Sequence, residues 1–265
     1  MRIRGLSKGR PAVKLWWLFF LLALISGAMA LFTQFFAAEL FGWASTVHRE
    51  RREIEFWESI SISALDIPLE VYTHKGSQII VEYIGETALY IEEAEFELRI
   101  SREEDFTLSL FTADKLNYKM TVWLPEKVYK EIELKTSSGD IYAENIKTEF
   151  INVTSRSGNV HLYGIDGLIA VSTRFGDVEA EFIKFTDSCA IDTETGAVNV
   201  IMPARFGVRL DFLTDSGSFT SDFFRKEYHE HSGDLYLSAG DNPLRFTVRT
   251  ISGNLVFITR EEEIK

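Results

Sequence analysis

Cysteine is almost missing from this 265-residue chain. Cys189 stands alone, so no intramolecular disulfide can form and burial must hold the fold. Acid is missing from residues 1–38, which carry five basic side chains: Arg2, Arg4, Lys8, Arg10 and Lys14. The remainder holds 23 basic and 40 acidic residues, a net of −17. A body of that charge repels nucleic acid and anionic head groups, so nucleic acid is excluded as a partner, whereas a basic substrate or a divalent cation would suit it. The recognisable motifs of chemistry are missing too: there is no phosphate loop, nucleophile elbow or metalloprotease helix. No lipidated-cysteine signal lies near the N-terminus. No helical crossover pattern separates the strand-like runs, which excludes alternating sheet and helix layers.

Charge is also missing between Lys14 and Glu39, where residues 15–38 read "LWWLFFLLALISGAMALFTQFFAA". As a helix this segment spans about 36 Å, enough to cross about 30 Å of hydrocarbon. Residues 1–14 then form a basic cytoplasmic tail, and the acidic body lies outside the cytoplasm. Trp16, Trp17 and Trp43 flank the span, as interfacial aromatics do. A cleaved signal peptide competes with this reading, because "AMA" at 28–30 fits a cleavage site after Ala30. The apolar run continues through Phe35, Phe36 and Ala38, so a retained single-pass anchor in the cell membrane is favoured. Residues 39–53 read as a polar stalk, with Arg49, Arg51 and Arg52 on a solvated face.

What the chain does have is a repeat. "KTSSGDIYAENI", "TSRSGNVHLYGI" and "STRFGDVEAEFI" begin at 135, 154 and 172. The marker glycines are Gly139, Gly158, Gly176, Gly196, Gly217, Gly233 and Gly253, spaced by 19, 18, 20, 21, 16 and 20. So short a period predicts stacked coils. Five residues before the glycines stand Leu134, Val153, Val171, Ile191, Phe212, Tyr228 and Val248, and two after them Ile141, Val160, Val178, Val198, Phe219, Leu235 and Leu255. The offsets keep one parity on each side of the glycine, which is strand alternation, so both columns face inward. So does a hydroxyl column three before the glycine: Thr136, Ser155, Thr173, Thr193, Thr214 and Thr250. Glycine suits a corner that needs φ > 0, and the Asp or Asn after it suits a turn. The sixth coil, with Lys226 and Glu230 at inward offsets, should be irregular. The expected fold is all-β: a parallel β-solenoid over 131–258, a strand-rich N-terminal region or cap over 54–130 and a charged tail at 259–265. "THKGSQ" at 73–78 reads as a hairpin turn.

"DIPLEVYTHKG", "TVWLPEKVYKEIELKTSSGDIYAENI" and the serial glycine corners resemble the bacterial putative-adhesin family of β-strand-repeat domains of unknown function. The likeness covers about residues 54–258. It implies a parallel β-solenoid, usually right-handed, on a cell envelope, and some such domains resemble parts of envelope-stress signalling systems. It supplies no catalytic residues, metal or cofactor. Phe175 in the third corner, and Ala197 and Ser218 after the fourth and fifth glycines, depart from the pattern.

Four features invite chemistry or contact. Glu194 and Asp215 hold the same offset on consecutive repeats; stacked, their backbones would lie about 5 Å apart, a separation suited to retaining glycoside hydrolysis. A surface ladder in which Arg174 neutralises Glu194 is the stronger reading. His229 and His231 form an H-x-H pair without an evident third metal ligand. "NVT" at 152–154 matches a glycosylation acceptor, and Phe223 and Phe224 place an aromatic near the surface. A calcium solenoid is excluded, since its nine-residue repeat is half this period. The expected function is therefore a non-enzymatic, membrane-anchored envelope protein whose repeated surface binds a wall polymer or a membrane-protein partner. A sensor ectodomain of an envelope-stress system and a carbohydrate-active β-helix enzyme are the alternatives.

Overall fold

Alternating apolar and polar residues give each repeat two strands, one entering the glycine corner and one leaving it. In the computed structural model the described residues are 47–102, 117–203, 205–224, 226–231 and 233–260. The tail at 1–14, the apolar segment at 15–38, the first part of the stalk and residues 261–265 lie outside them. The described residues form twenty strands and no α-helix, an all-β fold. Among them no helix is long and apolar enough to cross a membrane.

Strand β8 (Val128–Thr136) enters the Gly139 corner and β9 (Ile141–Glu144) leaves it. β10 (Lys147–Thr154) and the first part of β11 (Val160–Ser172) flank Gly158; the rest of β11 and β12 (Val178–Lys184) flank Gly176; β13 (Cys189–Thr193) and β14 (Val198–Met202) flank Gly196. Entering strands pair in parallel with one another, and so do leaving strands. Two ladders result, here called inbound and outbound. Leu134, Val153, Val171 and Ile191 are successive partners along the inbound ladder, and all are buried. Ile141, Val160, Val178 and Val198 do the same along the outbound one.

Chain order and stack order part company at both ends. β19 (Leu244–Thr250) and β20 (Leu255–Thr259) pair with β13 and β14, and only beyond them come β15 (Val208–Thr214) and β16 (Gly217–Ser221). Val248 therefore follows Ile191 in the inner seam, with Phe212 after it. At the other end β2 (Ser59–Leu65) and β3 (Leu69–His74) lie between β8–β9 and the pair β6 (Leu98–Arg102) and β7 (Lys119–Pro125). The region before residue 130 thus supplies two further rungs.

Antiparallel strands finish each end. β5 (Leu89–Glu93) pairs with β6, β4 (Ile79–Gly85) with β7, and β1 (His48–Ile54) with β4. β18 (Leu235–Ala239) pairs with β15 and β17 (Lys226–His231) with β16. Three expectations are corrected here. Residues 48–53, read as stalk, belong to β1. The 73–78 turn is not a hairpin of paired neighbours, because β7 lies between β3 and β4. Gly233 marks no parallel rung, since the strand before it runs antiparallel to β16.

The corner glycines are needed for close approach, not for positive φ. A Cβ on Gly158 would lie 1.9 Å from the Gly139 carbonyl oxygen, and one on Gly253 2.0 Å from that of Gly196. Gly233, at φ +116°, has open space instead. Four corner hydroxyls serve their own glycines: Ser155, Thr173, Thr193 and Thr250 accept from the glycine N–H three residues on, at 2.9, 3.2, 3.0 and 2.7 Å, whereas Thr136 donates to Ser155 and Thr214 donates to the Ile251 carbonyl. The residues after the glycine bond across rungs. Asp140 accepts from the Asn159 N–H at 2.8 Å, Asn159 from Asp177 at 3.0 Å, and Asp177 from Ala197 at 2.8 Å. Ala197 cannot continue the series, and it resumes where Asn254 accepts from Ser218 at 2.9 Å.

The core is aliphatic in the central rungs and phenylalanine-rich toward the C-terminal ones. Phe246 meets Phe182 and Phe257 edge-on, each at 5.8 Å between centroids. Cys189 is buried there, and desolvation pushes its thiol up to about 12, so it is an inert packing group.

Candidate interaction surface

With odd offsets before each glycine and even offsets after it turned inward, the residues between them must cover the two outer faces, and those faces differ. On the outbound ladder Tyr72, Tyr142 and Tyr163 form a diagonal file, each ring 5.5 Å from the next and tilted by 44° and 50°. His161 stacks on Tyr163 at 6.2 Å. Carboxylates hold the file in place. The Tyr142 hydroxyl donates to Glu144 at 2.9 Å and the Tyr163 hydroxyl to Glu179 at 2.6 Å, while His161 Nδ1 lies 3.4 Å from Glu179. Glu70 takes Lys119 at 3.0 Å and the Thr121 hydroxyl at 3.1 Å; Glu181 pairs with Arg260. Desolvation, helped by the neighbouring carboxylates, pushes Tyr142 and Tyr163 up to about 12 and raises Tyr72. These phenols are neutral hydrogen-bond donors at physiological pH, and as general bases they are useless. The file offers aromatic edges framed by negative charge.

The inbound outer face is paved mostly with small polar side chains, interrupted by one charged pair. Next to Ser61 and Ser63 on β2 come Glu133 and Lys135 on β8, then Asn152 and Thr154 on β10, then Ala170 and Ser172 on β11. Toward the far end Asp211 is buried between Arg245 at 3.2 Å and Arg209 at 3.5 Å. Tyr90 and Tyr236, on opposite terminal strands, are both exposed.

The residues singled out from the sequence separate cleanly. Arg174 does meet Glu194, at 2.8 Å. Glu194 and Asp215 are not neighbours: Glu194 accepts from the Ile251 N–H, and the Gly217 corner stacks beyond Gly253. Two rung steps put their backbones about 10 Å apart, because the inserted rung stands between them. The geometry expected for retaining glycoside chemistry is thus absent at that pair. His229 and His231 lie on β17, and their side chains lie outside the described residues. Among the described residues no three His, Cys, Asp or Glu side chains gather as a metal site. Phe223 and Phe224 pack against the core. Among the described residues the exposed large apolar side chains are instead Val47, Phe96, Val128, Phe175, Ile183 and Ile251, beside the two terminal tyrosines. The tyrosine file leaves only a slight mark in the sequence: Tyr142 and Tyr163 stand three and five residues after their glycines, at outward positions.

Two solved structures are similar to this chain at low identity. A putative cell adhesion protein from Clostridium sporogenes is 13% identical, covers 81% of this chain and 100% of its own, and superposes with a TM-score of 0.47. A putative adhesin from Bacteroides fragilis is 10% identical over 81% of this chain and 97% of its own, with a TM-score of 0.34. No curated protein matches the chain. The family model described as Toastrack DUF4097 matches twice, over residues 57–168 and 129–256, which together span most of the chain. The chain therefore belongs to the Toastrack DUF4097 family.

Proposed function

We propose that the chain is a membrane-anchored parallel β-solenoid that stands outside the cytoplasm and acts as an adhesin-like binding or scaffold surface, without catalysing a reaction. The carrying observation is the pair of flat outer faces on which side chains recur rung by rung. The tyrosine file and its carboxylates repeat on one face, and hydroxyl-bearing residues repeat on the other. Repetition at rung spacing suits a repetitive ligand such as a wall polymer, or an extended protein partner, since many weak contacts add up through avidity. The anchor rests on the charge-free run at 15–38 and the basic residues before it.

Membrane fractionation with protease shaving tests the placement. The full chain is expected to stay with membranes after alkaline carbonate washing and to be cut only from the outside of intact cells. Release by carbonate, or protection from external protease, would overturn it. Cosedimentation of the detergent-solubilised full chain with purified cell-wall sacculi tests the binding role, and loss of no more protein from the supernatant than for an unrelated acidic membrane protein removes it.

A further inference from the structure

At the N-terminal end of the inbound face, four strands lie side by side in the order β5, β6, β2, β8. Their outward residues fall into two rows. One row reads Glu92, Arg99, Ser61, Glu133, and the other Tyr90, Ser101, Ser63, Lys135. Ser61, Ser63 and Ser101 on the two middle strands make a low floor beside Arg99, while long side chains on β5 and β8 stand at either side. The result is an open hollow of about 370 Å³, within the size range of small-ligand sites.

The chemistry of this hollow is specific. The Tyr90 ring is 56% exposed on a strand whose neighbours pack inward. Serine hydroxyls both donate and accept, the carboxylates of Glu92, Glu97 and Glu133 accept, and Arg99 and Lys135 donate. These charged groups are paired with one another: Arg99 with Glu97 at 2.9 Å and Glu92 at 3.7 Å, and Lys135 with Glu133 at 2.6 Å, which also takes the Ser61 hydroxyl at 2.8 Å. Exposed ion pairs contribute little, so ligand hydroxyls can take over one arm of each without much loss. Opposite charges nearly balance in the hollow, and the acidic body around it repels polyanions. An apolar ligand would leave the hydroxyl floor without partners.

From this set of groups we infer that the trough between Tyr90 and Lys135 binds a neutral pyranose oligosaccharide. One sugar ring lies against the Tyr90 face, and its hydroxyls bond to Ser61, Ser63, Arg99 and Glu133. The inference rests on the binding reading above and names the ligand class for one part of the surface. The other exposed terminal tyrosine, Tyr236, lacks such a floor: its cross-strand partner is the buried, arginine-flanked Asp211.

Calorimetric titration of the detergent-solubilised full chain with chitohexaose and with cellohexaose tests it, with polygalacturonate as the anionic control. Saturable binding of at least one neutral hexasaccharide is expected, with polygalacturonate at least tenfold weaker. Tyr90→Ala should weaken binding at least tenfold. Ser63→Trp, which fills the floor without removing a ligand-binding ring, should do the same, and Tyr236→Ala should leave it unchanged. A circular dichroism spectrum checks that each variant is folded. Absence of binding to either neutral hexasaccharide overturns the inference, as does binding that ignores both trough substitutions or prefers the anionic polymer. Sacculus cosedimentation separates this failure from that of the wider reading: if the chain sediments and Tyr90→Ala sediments equally, the surface binds wall but not through the trough.

Discussion

A single methyl group distinguishes the two kinds of glycine in this chain. At Gly158 an added Cβ would sit 1.9 Å from a backbone oxygen of the next rung, and backbone cannot step aside as a side chain can. Gly158→Ala should therefore cost about 3 kcal/mol or more. Gly233→Ala meets no atom and carries only the strain of a positive φ, about 1 kcal/mol. Thermal melts of the two variants check this, and equal losses would refute the close-approach account. The tyrosine file makes a second prediction at this scale. Tyr142 and Tyr163 keep their protons until about pH 12, whereas an unfolded tyrosine loses its proton near pH 10. The folded state then binds more protons than the unfolded one between those values, so this contribution to stability is whole below pH 10 and is lost as pH climbs toward 12. Ultraviolet titration of tyrosinate should show both phenols ionising late, and Glu179→Gln should bring Tyr163 down selectively. Ordinary ionisation near pH 10 in the native protein would contradict the hydrogen bonds to Glu144 and Glu179.

At the scale of strands, adjacency is not sequence adjacency. Asn199 on β14 is the partner of Val256 on β20, and Val256 in turn of Thr220 on β16. Paired cysteines at Asn199 and Val256 should oxidise to a disulfide, because partner Cα atoms lie about 5 Å apart, inside the range a disulfide spans. Cysteines at Asn199 and Thr220, two strands apart at about 10 Å, should stay reduced. Buried Cys189 will not compete for either. Mass spectrometry after mild oxidation decides, and crosslinking of the second pair alone would restore chain order to the stack. This is also where the sequence stopped being legible. The inner seam from Leu134 to Ile191 could be read in advance because a fixed offset from each glycine meets the two-residue period of a strand. Nothing in a spacing of 20 or 21 says which rung lies on which, so Gly217 and Gly253 were placed in the wrong order. The β2–β3 rung was hidden for another reason: its corner has no glycine. Leu65 takes positive φ there, and the Ile67 carbonyl offers the surface on which Gly139 rests. Of the outer faces, His161 and Tyr163, three and five residues after Gly158, are legible as surface residues from strand alternation alone. The serine trough is not, because Ser61 and Glu133 are 72 residues apart and meet only through pairing of β2 with β8.

For the described body as a whole, each rung is covered by the two beside it, so protection should rise from the ends to the middle. Hydrogen exchange followed by mass spectrometry should find the amides of β5 and β18 exchanging first and those of β10, β11 and β13 last. Uniform protection would mean that the stack opens only all at once. The central rungs bury Ile and Val on both ladders, and the Phe182, Phe246 and Phe257 contacts extend that protection toward the C-terminal side.

The inserted rung near the C-terminus has a consequence for biogenesis. A chain delivered from its N-terminus exposes β15 and β16 before β19 and β20 have been made, yet the last-made strands are the ones that must occupy the place beside β13 and β14. Vectorial growth cannot finish this end. The early-arriving pair must be held away from a vacant, sticky edge until the final segment slips in, and a transcript cut short before residue 244 leaves that edge permanently open to a wrong neighbour.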